Sequence, residues 1–102
     1  MYIYSIIRKD IPLADQIVQT AHSAFHAGNI SFLEDGEIPS LILLEVNSQE
    51  ELNNLSKKLN NSGILSYRFF EPDDDMGYTS LTTEPVTDEQ RKLFSNYRLW
   101  RP

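Results

Sequence analysis

The sequence predicts an α/β fold, a three-layer α/β/α arrangement around a small mixed four-stranded sheet, and three observations carry that expectation. Short β-branched and aromatic runs alternate with segments of helical spacing. Capping-box tetrads open two of the helical segments. Helix-bearing connections link the first three strands, whereas a short acidic turn links the third to the fourth. With 102 residues, 40% of them hydrophobic, the chain can close one core and has no length for a second, so residues 1–102 are expected to form a single domain.

The first strand is Tyr2-Ile3-Tyr4-Ser5-Ile6-Ile7, short and rich in residues that pack on a pleated surface. Pro12 separates it from a helix at residues 14–29. There Ile17, Val18, Ala21, Ala24, Phe25 and Gly28 recur on one face, and Asp15, Gln19, His22 and His26 fall on the other. Gly28-Asn29 is the stop, and the stretch on to Pro39 reads as a loop. Leu41-Ile42-Leu43-Leu44-Glu45-Val46 is the second strand. Ser48-Gln49-Glu50-Glu51 then caps a helix whose buried stripe is Leu52, Leu55 and Leu59, and Asn60-Asn61-Ser62-Gly63 ends it. Residues 64–70 supply a third strand and residues 78–83 a fourth, with Pro72 and Asp73-Asp74-Asp75 between them. Thr87-Asp88-Glu89-Gln90 opens a short final helix. The predicted order is β-α-β-α-β-β-α, the first three strands parallel and the fourth antiparallel to the third.

Composition narrows the function. The absence of cysteine excludes disulfides, thiolate metal sites and thiol nucleophiles. A net charge of -6 argues against a broad RNA-binding surface, because affinity for a polyanion comes largely from Lys and Arg displacing counterions. The cations Arg91, Lys92, Arg98 and Arg101 gather late in the chain, which leaves room for a small anionic ligand or a local RNA contact. No window is apolar enough to span a bilayer and no signal-peptide pattern opens the chain, so a soluble, cytoplasmic protein with no membrane partner is expected.

In open sheets of this kind ligands sit at the carboxyl ends of the parallel strands, which here include Arg8-Lys9-Asp10 and Phe70-Glu71-Pro72-Asp73. Arg8 and Lys9, beside a helix N-terminus, suit a phosphate or carboxylate; the alternative is a charged turn pairing with Asp10 or Asp15. Asp10 is either a site residue or a helix cap near Pro12. Gln19 and His22 stand three apart on one helix face and can touch one ligand. His26 follows His22 by four, but Ser23 stands where a zinc-protease helix needs Glu, so no metal is expected. Glu71 is placed to orient His22, Lys9 or a water, and Thr79 or Ser80 to offer a hydroxyl.

The strand-end Arg8-Lys9-Asp10, the helix run Gln19-Thr20-Ala21-His22 and the segment Gly77-Tyr78-Thr79-Ser80 together resemble the peptidyl-tRNA hydrolase 2 family. The resemblance implies a three-layer fold and cofactor-free cleavage of the ester between a peptide and tRNA. It also implies roles for His22, Asp10 and Glu71 in catalysis, and for Arg8, Lys9, Gln19 and Thr79 in holding tRNA or a small nucleotide-like ligand. One departure matters: Asp15 stands where the family's helix carries a Lys, which reverses the charge. Two classes of function therefore follow, an ester hydrolase on tRNA and a non-catalytic protein that holds a nucleotide-like ligand or a protein partner. The tail Tyr97-Arg98-Leu99-Trp100-Arg101-Pro102 either docks on its own sheet or forms a subunit interface in a homo-oligomer.

Overall fold

The computed structural model of the protein describes residues 1–30 and 37–102, so most of the loop expected before Pro39 lies outside the described residues. The chain forms β1 (Tyr2–Arg8), α1 (Leu13–Ile30), β2 (Ser40–Val46), α2 (Gln49–Asn61), β3 (Ser66–Glu71), β4 (Gly77–Thr83) and β5 (Arg98–Leu99). The sheet is mixed and five-stranded, in the order β3-β4-β1-β2-β5. β1 pairs in parallel with β2 and antiparallel with β4, which in turn pairs antiparallel with β3. The first three strands thus point the same way, as their crossovers require, with β4 wedged between β1 and β3.

The count of four strands is corrected to five. β5 has only two residues, too few to show a period of two, yet Leu44 pairs with Leu99 and Glu45 with Arg98. The Trp100 N–H then donates to the Leu43 carbonyl at 2.9 Å, so the tail docks on its own sheet. The final helix is corrected too. Thr87 and Gln90 cap each other reciprocally at 2.9 and 3.1 Å, but the segment they open is a 3-10 helix, Gln90–Phe94. The chain must turn back within a few residues to reach β2, which leaves no room for a longer helix. Its Phe94 ring stacks on Tyr4 with centroids 4.0 Å apart.

Alternation along the strands divides the sheet into unlike faces. Tyr4, Ile6, Leu44, Val46 and Leu81 form one core with Leu52, Leu55 and Leu59 of α2. Ser48 caps α2 by accepting from the Glu51 N–H at 3.2 Å, and the Glu51 carboxylate reaches back to the Asn47 N–H at 2.6 Å. On the α1 side the sheet is hydroxylic instead. Ser5 Oγ lies 2.6 Å from Thr82 Oγ1, which lies 2.9 Å from Ser23 Oγ of α1. An amphipathic helix ordinarily buries its apolar stripe. Here α1 buries Gln16, Gln19, Ser23 and Ala27, because the sheet offers hydrogen-bond partners there, while Ile17, Val18 and Phe25 are exposed.

Asp74 and Asp75 both take left-handed backbone angles, φ 56° and 54°, in the 3-10 turn before β4. Gly77 comes next at φ 75°, after Met76, and a Cβ there would run into the Gln49 side-chain amide. That amide oxygen accepts from the Tyr78 N–H at 2.6 Å, so the missing side chain lets α2 pin the start of β4. Gly77→Ala is expected to destabilise the protein by about 2 kcal/mol, through the positive φ and the displaced hydrogen bond. Urea unfolding checks this. A change below about 0.5 kcal/mol would show that Gln49 does not fasten β4.

Candidate functional site

The residues singled out at the strand ends fall into three groups. The first centres on α1. Gln19, only 3% exposed, donates through Nε2 to Glu71 Oε2 at 3.0 Å and accepts through Oε1 from Thr79 Oγ1 at 2.9 Å. A register shift between Phe69 and Phe70 puts one extra residue on β4, so that Thr79 and Ser80 both reach α1. Bulges of this kind re-aim side chains. Ser80 Oγ donates to the Gln19 carbonyl at 2.6 Å. Glu71 also accepts from the Asp73 N–H at 3.2 Å. These bonds, the one from Gln19 first, hold the Glu71 carboxyl below its ordinary range. His22 is exposed, stacked on Phe69 with centroids 4.4 Å apart, and near enough to Glu71 to favour its charge. His26 stacks in the same way on Tyr67, at 4.8 Å.

The second group is Arg8 with Asp10. The guanidinium donates twice to the carboxylate, Nε to Oδ1 and Nη2 to Oδ2, both at 2.9 Å. Nη1 meanwhile donates to the Tyr78 carbonyl at 3.0 Å and to that of Met76. Arg8 therefore ties the end of β1 to the start of β4, and the Asp10 carboxyl is held low chiefly by Arg8. The geometry at these two residues is that of a charged turn.

Lys9 forms the third group, on the far side of β1. Its ammonium donates to the Arg101 carbonyl and lies 5.4 Å from the Trp100 ring centroid. With Glu45, Arg98, Leu99, Arg101 and Pro102 it lines a cavity of about 500 Å³ at the carboxyl ends of β1 and β2. A second cavity of about 610 Å³ shares Glu45 and Arg98 and adds Asn47, Glu51, Asn54, Asn96 and Tyr97. Gln19, His22, Glu71 and Thr79 line neither. Glu45 organises the first cavity, holding the Arg98 guanidinium at 3.5 Å and the Arg101 N–H at 3.1 Å. Trp100 is fixed by its indole N–H, which donates to Gln16 at 2.8 Å. Sequence reasoning did not place Glu45 or the asparagines. The available signal was a single carboxylate ending the apolar strand Leu41-Ile42-Leu43-Leu44-Glu45-Val46.

Among the described residues no group of three or more His, Cys, Asp or Glu is placed to hold a metal ion, and no helix is long and apolar enough to cross a membrane. No family model matches the chain, and no curated protein does. Among solved structures the chain is similar to a protein of unknown function from Agrobacterium tumefaciens, at 14% identity and a TM-score of 0.70, covering 98% of this chain and 97% of that one. That similarity shows a small mixed α/β fold.

Proposed function

We propose that the protein binds a nucleotide-bearing ligand in the paired cavities at the ends of β1 and β2, and does not turn it over. The observation that carries this reading is the chemistry of the cavity walls. Lys9, Arg98 and Arg101 are three of only nine cations in an acidic chain, and they surround one end of the groove. They suit a phosphate, for which Arg offers a planar fork and Lys a point charge. Glu45, engaged at both oxygens, holds Arg98 and the Arg101 backbone at the rim, and Asn54 and Asn96 present paired donors and acceptors to a base beside Tyr97. The resemblance to peptidyl-tRNA hydrolase 2, with its three-layer α/β/α domain, motivates the same ligand class.

The hydrolase reading rests on the α1 group, where exposed His22 stands near Glu71. Against it, both ends of the Gln19 amide and both Glu71 oxygens are already engaged, and a carboxylate held low is a weak proton acceptor. Asp15 would also repel an RNA backbone where a cation is wanted.

The chain has one tryptophan, Trp100, beside Lys9, so its fluorescence reports the site directly. Titration with adenosine 5′-monophosphate, with inorganic phosphate as a second probe, is expected to shift this emission. Lys9→Ala and Arg98→Ala should each weaken binding about tenfold, the worth of one charge-assisted hydrogen bond. In parallel, release of peptide from a model peptidyl-tRNA should stay at background for the parent and for Asp15→Lys. Turnover by the parent that vanishes in His22→Ala would overturn the binding-only reading and establish the hydrolase. Emission unmoved by either probe would remove the nucleotide site.

A further inference from the structure

We infer that two copies of the chain associate through the outward face of α1, related by a two-fold axis that passes beside Ala21. The helix has buried its polar side, so among the described residues its apolar side has no partner: Ile17 is 60% exposed, Val18 50% and Phe25 71%. Scattered apolar residues on a surface need no explanation, but a continuous stripe on one helix does.

Three features of α1 choose a second copy as the occupant. The first is the pattern of sizes about Ala21. Counting outward by three, four and seven residues gives Val18 and Ala24, Ile17 and Phe25, Ala14 and Gly28. An antiparallel helix pair centred there sets Ala21 against its own copy and Ala14 against Gly28. It also lays Phe25 over Ile17 and Val18 of the second copy, so each large side chain meets an aliphatic surface and each close approach a small residue. This is the self-complementarity that an isologous contact demands. Gly28 has open space where a Cβ would stand, as a close approach needs.

The second feature is charge. The stripe of Ala14, Ile17, Val18, Ala21, Phe25 and Gly28 carries none, in a chain of net charge -6. It can therefore meet its own copy without like-charge repulsion. The third is that α1 contains no Lys or Arg. A helix that lies in a lipid surface flanks its apolar side with basic residues, so a membrane is a poor match.

The absence of cysteine makes the test clean. With helix axes about 8–10 Å apart, two Ala21 Cα atoms on the axis come within about the 4.4–6.8 Å that a disulfide spans. Ala21→Cys is expected to oxidise to a covalent dimer at micromolar protein, while Lys57→Cys, on the exposed face of α2, forms no covalent cross-link. Light scattering of the parent should approach twice the monomer mass as concentration rises, and Phe25→Glu should return it to one with unchanged circular dichroism. A parent that remains monomeric at every concentration would overturn the inference. So would Ala21→Cys that cross-links no faster than Lys57→Cys, or sedimentation of the parent with phosphatidylcholine and phosphatidylglycerol vesicles.

Discussion

Replacing Gln19 by Ala is expected to lower the stability of the fold by about 3 kcal/mol. Gln19 is nearly inaccessible and serves three partners on the sheet: Glu71, Thr79 and, through its carbonyl, Ser80. Truncation leaves the wholly buried Thr79 hydroxyl without its acceptor, at about 1–3 kcal/mol, and opens a cavity where the amide stood. The backbone bond to Ser80 survives, which keeps the loss below that of a large core truncation. Urea unfolding of Gln19→Ala checks the size. A shift under about 1 kcal/mol would mean that the hydroxylic seam under α1 is not held by its hydrogen bonds. Gln19→Glu makes the companion test. It sets a second carboxylate beside Glu71, so its deficit should be largest at neutral pH and shrink on acidification.

Arg8→Ala is the other large change, expected to cost about 3 kcal/mol. Removing one member of a buried pair costs about 3–5 kcal/mol. The lower figure applies because the Asp10 side chain remains 40% exposed, against 11% for Arg8. The loss is not only of charge, since the carbonyls of Met76 and Tyr78 lose their donor. Arg8→Lys keeps the charge but not the fork, and should recover less than half of the difference. The same pair sets the response to acid. Asp10 and Glu71 titrate below their ordinary values of 3.8 and 4.5 in the folded protein. The unfolded chain therefore binds their protons more readily. Their contribution is complete above the ordinary carboxyl range and is lost as pH falls through the lowered folded values. The urea midpoint should hold from pH 7 to about 5 and decline below about 4. Asp10→Asn should flatten part of that decline; an unchanged profile would show that the Arg8 pair does not couple folding to protons.

Much of this architecture was legible in residue patterns, for physical reasons that differ by element. β1, β2 and α2 announce themselves because their packing is apolar: Ile6, Leu44 and Leu52 lie in one core, and periodicity records that kind of burial. The Ser48 cap was legible because a hydroxyl and a carboxylate at fixed spacing have few other uses. α1 was legible as a helix but not in its orientation. A hydrophobic pattern cannot say that Ser5, Ser80 and Thr82 line the opposing sheet face, and those hydroxyls decide which side of α1 goes in. β5 was illegible because two residues joined by backbone bonds carry no pattern. At the candidate site, spacing set Gln19 and His22 three apart on one helix but could not tell that Gln19 is buried against the sheet while His22 is exposed. It could not reveal that Arg8 and Lys9, neighbours in the chain, leave β1 toward different partners.

The position of β4 governs the order in which the molecule can be assembled. β1 and β2 can pair as soon as α1 has crossed between them, but the other edge of β1 stays open until residues 77–83 arrive, more than seventy positions later. Among the described residues β3 pairs with β4 alone, so it too waits. Closing so long a loop precedes the reward of pairing, so the chain is expected to fold more slowly than an all-helical one of its size. During synthesis the half-built sheet presents the bare edge of Tyr2-Ile3-Tyr4-Ser5-Ile6-Ile7, an apolar template for stray strands. The hydroxyls of Thr82 and Thr83 in β4 bond to Ser5 and to the Tyr4 N–H, so the strand that ends this exposure also seals the seam beneath α1.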